Sequence, residues 1–239
     1  MIYKKAKSTI SSPESDPPKL AVLTDFDGTI TPFNVLNALF DRFGSPECRE
    51  LAQRWDRGEI SLDQEYTLGF ATISASQPQM ETLLREVPID PAFPQFITLC
   101  QQRGIPLAIA SDGLRWYIEY ILQEHGVHGV QIYACEIAFQ DPGYSFSYPH
   151  ADPAAPLRGT SKLSLVRAQQ RQGYRVIFIG DGNNDADPAS AADIVFARDN
   201  LLLTAQKTGM PAIGFDGFEE ICASLDQMIE TLHSVQGKP

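Results

Sequence analysis

The chain has only four cysteines in 239 residues, Cys48, Cys100, Cys135 and Cys222, far apart and with no CxxC pair. This scatter offers neither a disulfide framework nor a thiolate metal cluster. Reduced, mostly buried thiols in a cytoplasmic protein are expected. Histidine is equally scarce, and although His125 and His128 lie three apart, nothing beside them completes a zinc ligand set. No apolar run approaches the roughly 20 residues that cross a bilayer. Residues 1–19 contain Lys4, Lys5, Lys7 and three prolines but no apolar segment of signal-peptide type, and are expected to form a flexible tail. Basic residues are outnumbered, with 19 Lys and Arg against 30 Asp and Glu and a net charge of −11. A nucleic-acid backbone or an anionic membrane would be repelled, so neither is an expected partner. No internal repeat is visible.

What remains is the composition of a folded enzyme. Hydrophobic residues make up 43% and aromatics 10%, enough to exclude disorder for the bulk of the chain. Apolar residues at helical spacing (Val35, Leu36, Leu39, Phe40, Phe43) stop at Gly44-Ser45-Pro46. Helices over 47–57, from the capping box Ser61-x-x-Gln64, and over 79–87 follow, before Pro88-Ile89-Asp90-Pro91. From Phe93 the pattern alternates: helix 93–103, strand 105–110, helix 114–124, strand 130–134. After an irregular stretch with a hairpin near Asp141-Pro142-Gly143 come helix 161–172, strands 175–179, 193–197 and 212–215, and a last helix with Phe218, Ile221, Leu225, Ile229 and Leu232 on one face. The alternation predicts an α/β fold, a Rossmann-like doubly wound parallel sheet. Residues 20–33 and 91–239 would form the core domain and 34–90 an inserted helical-bundle cap.

Leu20-Ala21-Val22-Leu23-Thr24 reads as a buried strand and runs into Asp25-Phe26-Asp27-Gly28-Thr29. Side chains two apart on an extended chain point the same way, so Asp25 and Asp27 can share one site. Two carboxylates so close repel unless a cation lies between them or one is protonated. Two further strands end in polar groups: Val176 to Ile179 before Gly180-Asp181-Gly182-Asn183-Asn184-Asp185, and Ile105 to Ala110 before Ser111-Asp112-Gly113. Lys162 opens a helix between them. Singly, each has an ordinary explanation: an Asp-Gly turn, a solvated acidic loop, a helix N-cap, a surface lysine. Together they can converge, because ligands bind outside the carboxyl ends of parallel strands.

These four segments, in this order, resemble the motifs of the haloacid dehalogenase superfamily of phosphohydrolases. Asp-Phe-Asp-Gly-Thr-Ile-Thr, Tyr148-Pro149-His150 and Ala192 to Asp199 are most similar to its phosphoserine-phosphatase-like branch, especially the methionine-salvage enolphosphate phosphatases. Asp112-Gly113 and Gly159-Thr160-Ser161 depart from that branch's usual Gly-Gly and cysteines. The resemblance implies a phosphomonoesterase acting on a small phosphorylated metabolite through an aspartyl phosphate. Asp25 would be the nucleophile and Asp27 the general acid and base. Mg²⁺ would be held by Asp25, Asp181 and the backbone carbonyl of Asp27, with Asp185 in support. Ser111, Gly113 and Lys162 would contact the phosphoryl group, and Asp112 and Asn184 would flank the substrate. Arg115, Arg158 and His150 are open as further substrate contacts. A phosphorylated enol is the expected substrate. Phosphoserine hydrolysis, phosphotransfer and a non-catalytic Mg²⁺-binding phosphoaspartate regulator are the alternatives.

Overall fold

The computed structural model describes residues 19–141 and 143–236, and side chains to residue 231. The expected tail lies outside them, apart from Lys19, which opens the first strand, as do Pro142 and the Leu232 side chain. The described residues form β1 (Lys19–Thr24), α1 (Val35–Phe43), α2 (Cys48–Asp56), α3 (Leu62–Phe70), α4 (Gln77–Leu84), α5 (Phe93–Gln102), β2 (Leu107–Leu114), α6 (Arg115–Glu124), β3 (Gln131–Gln140) and β4 (Gly143–Ser147). They continue as α7 (Lys162–Arg171), β5 (Tyr174–Gly180), α8 (Ala186–Ala191), β6 (Ile194–Ala197), α9 (Asp199–Thr208), β7 (Ile213–Gly214) and α10 (Phe218–Gln236).

The strands make one sheet in the order β4-β3-β2-β1-β5-β6-β7, parallel throughout except for the β3–β4 hairpin. Both faces are covered, which is why the strands read as continuous apolar runs rather than alternating ones. Successive residues of a strand enter different cores: Val22, Ile177 and Ile179 pack with Phe96, Ile118 and Phe218, whereas Leu23, Val176 and Phe178 pack with Val166, Ala189 and Leu201. The expected doubly wound α/β class is the observed one.

Several boundaries differ from expectation. β2 continues through Ser111-Asp112-Gly113 to Leu114, and its register with β3 shifts between Ala110 and Leu114. Such an irregularity beside a site re-aims side chains. α8 and α9 were not anticipated, because Ala-Asp-Pro-Ala-Ser-Ala and the loop-like Asp199-Asn200 carry little periodic apolar signal. The hairpin at 141–143 is longer than expected, and Phe146 and Tyr144 pack against Tyr66 and Phe70 of α3 with ring centroids 5.0–5.3 Å apart. The hairpin thus braces α3, which with α1 and α2 lines the pocket at the carboxyl ends of the strands.

Candidate active site

β1, β2 and β5 lie side by side, so their carboxyl ends bring Asp25, Ser111 and Asp181 together. Asp25 follows β1 directly and is 5% exposed. Its Oδ1 accepts the Phe26 amide at 2.7 Å and its Oδ2 the Lys162 ammonium at 2.6 Å. Lys162 begins α7 and also donates to Asp185 Oδ1 at 2.7 Å. A lysine 3% exposed between two carboxylates is no surface residue. Burial alone would lower its affinity for a proton, but Asp185, Asp25 and Asp112 hold the ammonium above its ordinary range. Burial raises Asp25 well above the carboxylate range, Lys162 opposes this, and Asp185 and Asp181 reinforce it.

Oxygen atoms of Asp25, Asp181 and Asp185 lie within 4.8 Å of one another. An all-carboxylate donor set suits a hard cation such as Mg²⁺. The three are not equivalent. Asp185 Oδ2 accepts the Asp181 and Gly182 amides, each at 3.1 Å, while its Oδ1 is held by Lys162, so this side chain braces the loop. Asp181 Oδ1 accepts the Thr29 hydroxyl at 2.7 Å, and burial with the neighbouring Asp185 raises its pKa to about 6. A cation in the cluster would favour the ionised forms. Gly28, at φ 80°, permits the close approach of Asp181, since any Cβ there would collide with that carboxylate.

Asp27 is half-buried, and both oxygens are engaged: Oδ1 accepts the Val35 amide at 2.7 Å and Oδ2 the Tyr117 hydroxyl at 2.6 Å. Burial nevertheless raises its pKa to about 6, with these two hydrogen bonds opposing. Asp27 therefore titrates closer to neutrality than an ordinary carboxyl, as suits proton transfer. Tyr117 was not anticipated as part of the site. A Cβ at Gly113 would strike both the Tyr117 hydroxyl and Asp27, so that glycine admits the pair.

Ser111 is 1% exposed, and its Oγ accepts the Gly113 amide at 2.9 Å, leaving the hydroxyl proton for another acceptor. The segment is strand rather than helix cap; Leu114 caps α6 without a side-chain bond. Asp112 lines the pocket, but its carboxylate is committed to protein groups. Oδ1 accepts the Gly159 and Thr160 backbone amides at 3.2 and 2.9 Å, and Oδ2 the Asn184 side-chain Nδ2 at 3.1 Å. This residue ties β2 to the turn that delivers Lys162. Asn184 lines the pocket too. Arg115, whose Nε donates to Glu136 at 2.6 Å, Arg158, which lies over the Trp55 ring, and His150 do not line it. Tyr148 does not line it either: its ring stacks on Tyr66, and its hydroxyl donates to Asp63 at 3.1 Å.

The profile of haloacid dehalogenase-like hydrolases matches residues 22–189, which contain every one of these strand ends. The chain belongs to this hydrolase family. Among similar proteins is the 2-hydroxy-3-keto-5-methylthiopentenyl-1-phosphate phosphatase of Geobacillus kaustophilus, 31% identical over 215 residues, covering 88% of this chain and 97% of the relative. The enzyme of the same name from Brevibacillus brevis is 28% identical over 214 residues, covering 88% and 96%. In fold, the hydrolase resembles a phosphoserine phosphatase solved as a phospho-aspartyl intermediate analogue, with a TM-score of 0.65 at 16% identity over 86% of this chain and 98% of the other. The reaction class expected from the motifs, hydrolysis of a phosphoric monoester, is the one these relatives' names carry.

The hydrolase's site opens into a cavity of about 430 Å³, the size of a small-metabolite pocket. Its upper wall comes from α1, α2 and α3, with Leu36, Trp55, Leu62 and Tyr66 among the lining residues. Glu65 on α3 also lines it, 3% exposed, and its Oε2 has no hydrogen-bond partner among the described residues. Sequence reasoning missed Glu65, although it lies three residues after Leu62 and beside Tyr66 on the inward stripe. Burial raises its pKa to about 7, with Asp112 and Asp56 adding to the rise.

The folded-state value lies above the ordinary one, so the folded hydrolase binds this proton more tightly. Stability from Glu65 is then present below about pH 4.5 and lost as pH rises to about 7. Glu65→Gln should be more stable than the parent by on the order of 1–3 kcal/mol above pH 7 and similar to it near pH 4.5. Urea unfolding at the two pH values measures the difference; an advantage independent of pH would exclude this titration as its source.

Proposed function

We propose that this hydrolase is a Mg²⁺-dependent phosphatase for a small enol or hydroxy-keto phosphate, of the kind named for its Geobacillus and Brevibacillus relatives. The observation that carries the substrate class is the charge of the pocket. Among the described residues, none of those lining it is Lys, Arg or His, whereas Asp56 and Glu65 stand beside the apolar wall of Leu36, Trp55 and Leu62. The carboxylate of a leaving group such as that of phosphoserine finds no counter-ion there, although its ammonium could face Asp56 or Glu65. An uncharged leaving group with an apolar end suits the wall.

In this reading the Asp25 carboxylate attacks phosphorus and forms an aspartyl phosphate, while Asp27 gives its proton to the departing oxygen. Asp27 then takes a proton from the water that attacks the aspartyl phosphate and releases inorganic phosphate. Lys162 favours the ionised form of Asp25 against its burial and orients it, and Ser111 donates to a phosphoryl oxygen. Asp25, Asp181 and the carbonyl of Asp27 would hold Mg²⁺, with Asp185 bracing them. The cation would neutralise phosphoryl charge. Helices over residues 34–90 would act as a cap that excludes water from the ester.

A panel of phosphate esters with Mg²⁺, scored by phosphate release, tests the reading. A hydroxy-keto or enol phosphate should exceed phosphoserine in kcat/KM by at least about tenfold, since specificity is the ratio of those constants. Preference for phosphoserine would overturn the substrate class and leave the chemistry standing. No turnover of any ester would instead favour a phosphoaspartate regulator.

A further inference from the structure

Glu65 takes no part in the chemistry above, and its place is unusual. It belongs to the wall of the cavity contributed by α3, not to the strand ends where phosphate would sit. A buried carboxylate is normally paired or hydrogen-bonded, because an unsatisfied polar atom carries its full desolvation penalty. Oε2 of Glu65 has no such partner among the described residues, and the nearby charges of Asp112 and Asp56 repel it. Leu62, Tyr66 and Trp55 line the same cavity. Glu65 lines the cavity while Oε2 itself is closed to solvent, so a donor that enters the cavity completes this acceptor as the carboxylate turns toward it.

We propose that Glu65 is a specificity-determining residue whose carboxylate accepts a hydrogen bond from a donor group, a hydroxyl or an ammonium, on the organic part of the substrate. The inference rests on the phosphatase reading of the same site and adds the feature by which the leaving group is chosen. Substrates with a donor at the right reach satisfy Oε2. Substrates presenting only an ether or a carboxylate leave it bare or repel it. A site with a buried acceptor of this kind rejects an analogue that lacks the donor far more strongly than an apolar wall can reject one missing a methylene. The two sources differ in what they ask of Glu65: an ammonium needs its charge, whereas a hydroxyl needs only an acceptor oxygen.

The test is a matched series of alkyl phosphates of graded chain length that end in hydroxyl, amino or methoxy groups. They are assayed on the full chain with Mg²⁺ and on Glu65→Gln and Glu65→Met. At the best chain length the parent should favour the hydroxyl or the amino ester over the methoxy ester by about tenfold or more in kcat/KM. Glu65→Met should erase that preference, bringing the hydroxyl, amino and methoxy esters within about threefold of one another in kcat/KM. Glu65→Gln keeps shape and one acceptor oxygen. It should cut an amino preference almost to nothing and a hydroxyl preference by about fivefold, which separates the two sources. If the methionine variant does not fold, the isosteric glutamine decides. A parent that hydrolyses all three esters equally, or a preference unchanged in Glu65→Gln, overturns the role of Glu65 while the phosphatase reading stands. A parent that hydrolyses none of them, methoxy included, overturns both.

Discussion

Asp25→Asn is expected to lower phosphate release by at least about 10⁴-fold with the fold retained, the scale seen when a covalent nucleophile is removed. The amide is isosteric, so the effect on turnover is chemical. Asparagine can still accept one of the two bonds made now, from Phe26 or from Lys162, but not both. Losing one costs about 1–2 kcal/mol. Against this, the substitution removes a negative charge buried beside Asp185 and Asp181, so the net change in stability should be small. Phosphate release and thermal unfolding of the variant measure both parts. Residual turnover within a hundredfold of the parent would exclude Asp25 as the nucleophile.

Lys162→Ala should be damaging in two ways. Rate should fall by roughly 10² to 10³, as for loss of one preorganised electrostatic group. Stability should fall as well, by about 3–5 kcal/mol, because Asp25 and Asp185 would face each other buried and without their shared cation. Mg²⁺ offers a diagnostic. A divalent ion among Asp25, Asp181 and Asp185 replaces part of the missing positive charge, so Mg²⁺ should raise the Tm of the variant by more than that of the parent. Equal shifts would argue that the acidic cluster does not take the ion. A near-normal rate would leave Lys162 as a structural counter-ion only.

How much of this was legible in the chain depended on whether a residue's partners are near it in sequence or announce themselves by pattern. The β1 run and Asp25-Phe26-Asp27 could be read because a strand buried on both faces is a contiguous apolar string ending where the ligand site begins. Lys162 could be placed by its position between motifs, although nothing local distinguishes it from a surface lysine. The partners of Asp112 could not be read: its carboxylate holds amides 47 and 48 residues further on, a contact made by chain topology alone. Tyr117 was hidden as one more apolar position on α6. Glu65 was hidden for the opposite reason, since a glutamate on a helix is ordinarily assigned to water, and only its spacing with Leu62 and Phe70 placed it inward. The assignment of 34–90 as four helices followed from caps and periodicity, while the hairpin that braces them was only partly visible.

The central position of β1 also governs how the molecule comes into being. One edge of β1 pairs with β2, but the other pairs residue for residue with β5, from Lys19 opposite Tyr174 to Thr24 opposite Ile179. On a ribosome adding about 5–20 residues per second, the intervening stretch of about 150 residues takes on the order of ten seconds to make. During that interval an apolar strand would carry an open edge, the feature most prone to pair with another chain. Over the same interval neither Asp181 nor Asp185 has been synthesised, so no growing chain can assemble the acidic cluster. Hydrolytic competence therefore cannot precede β5 and the loop that follows it, and products truncated before them should be sticky rather than active.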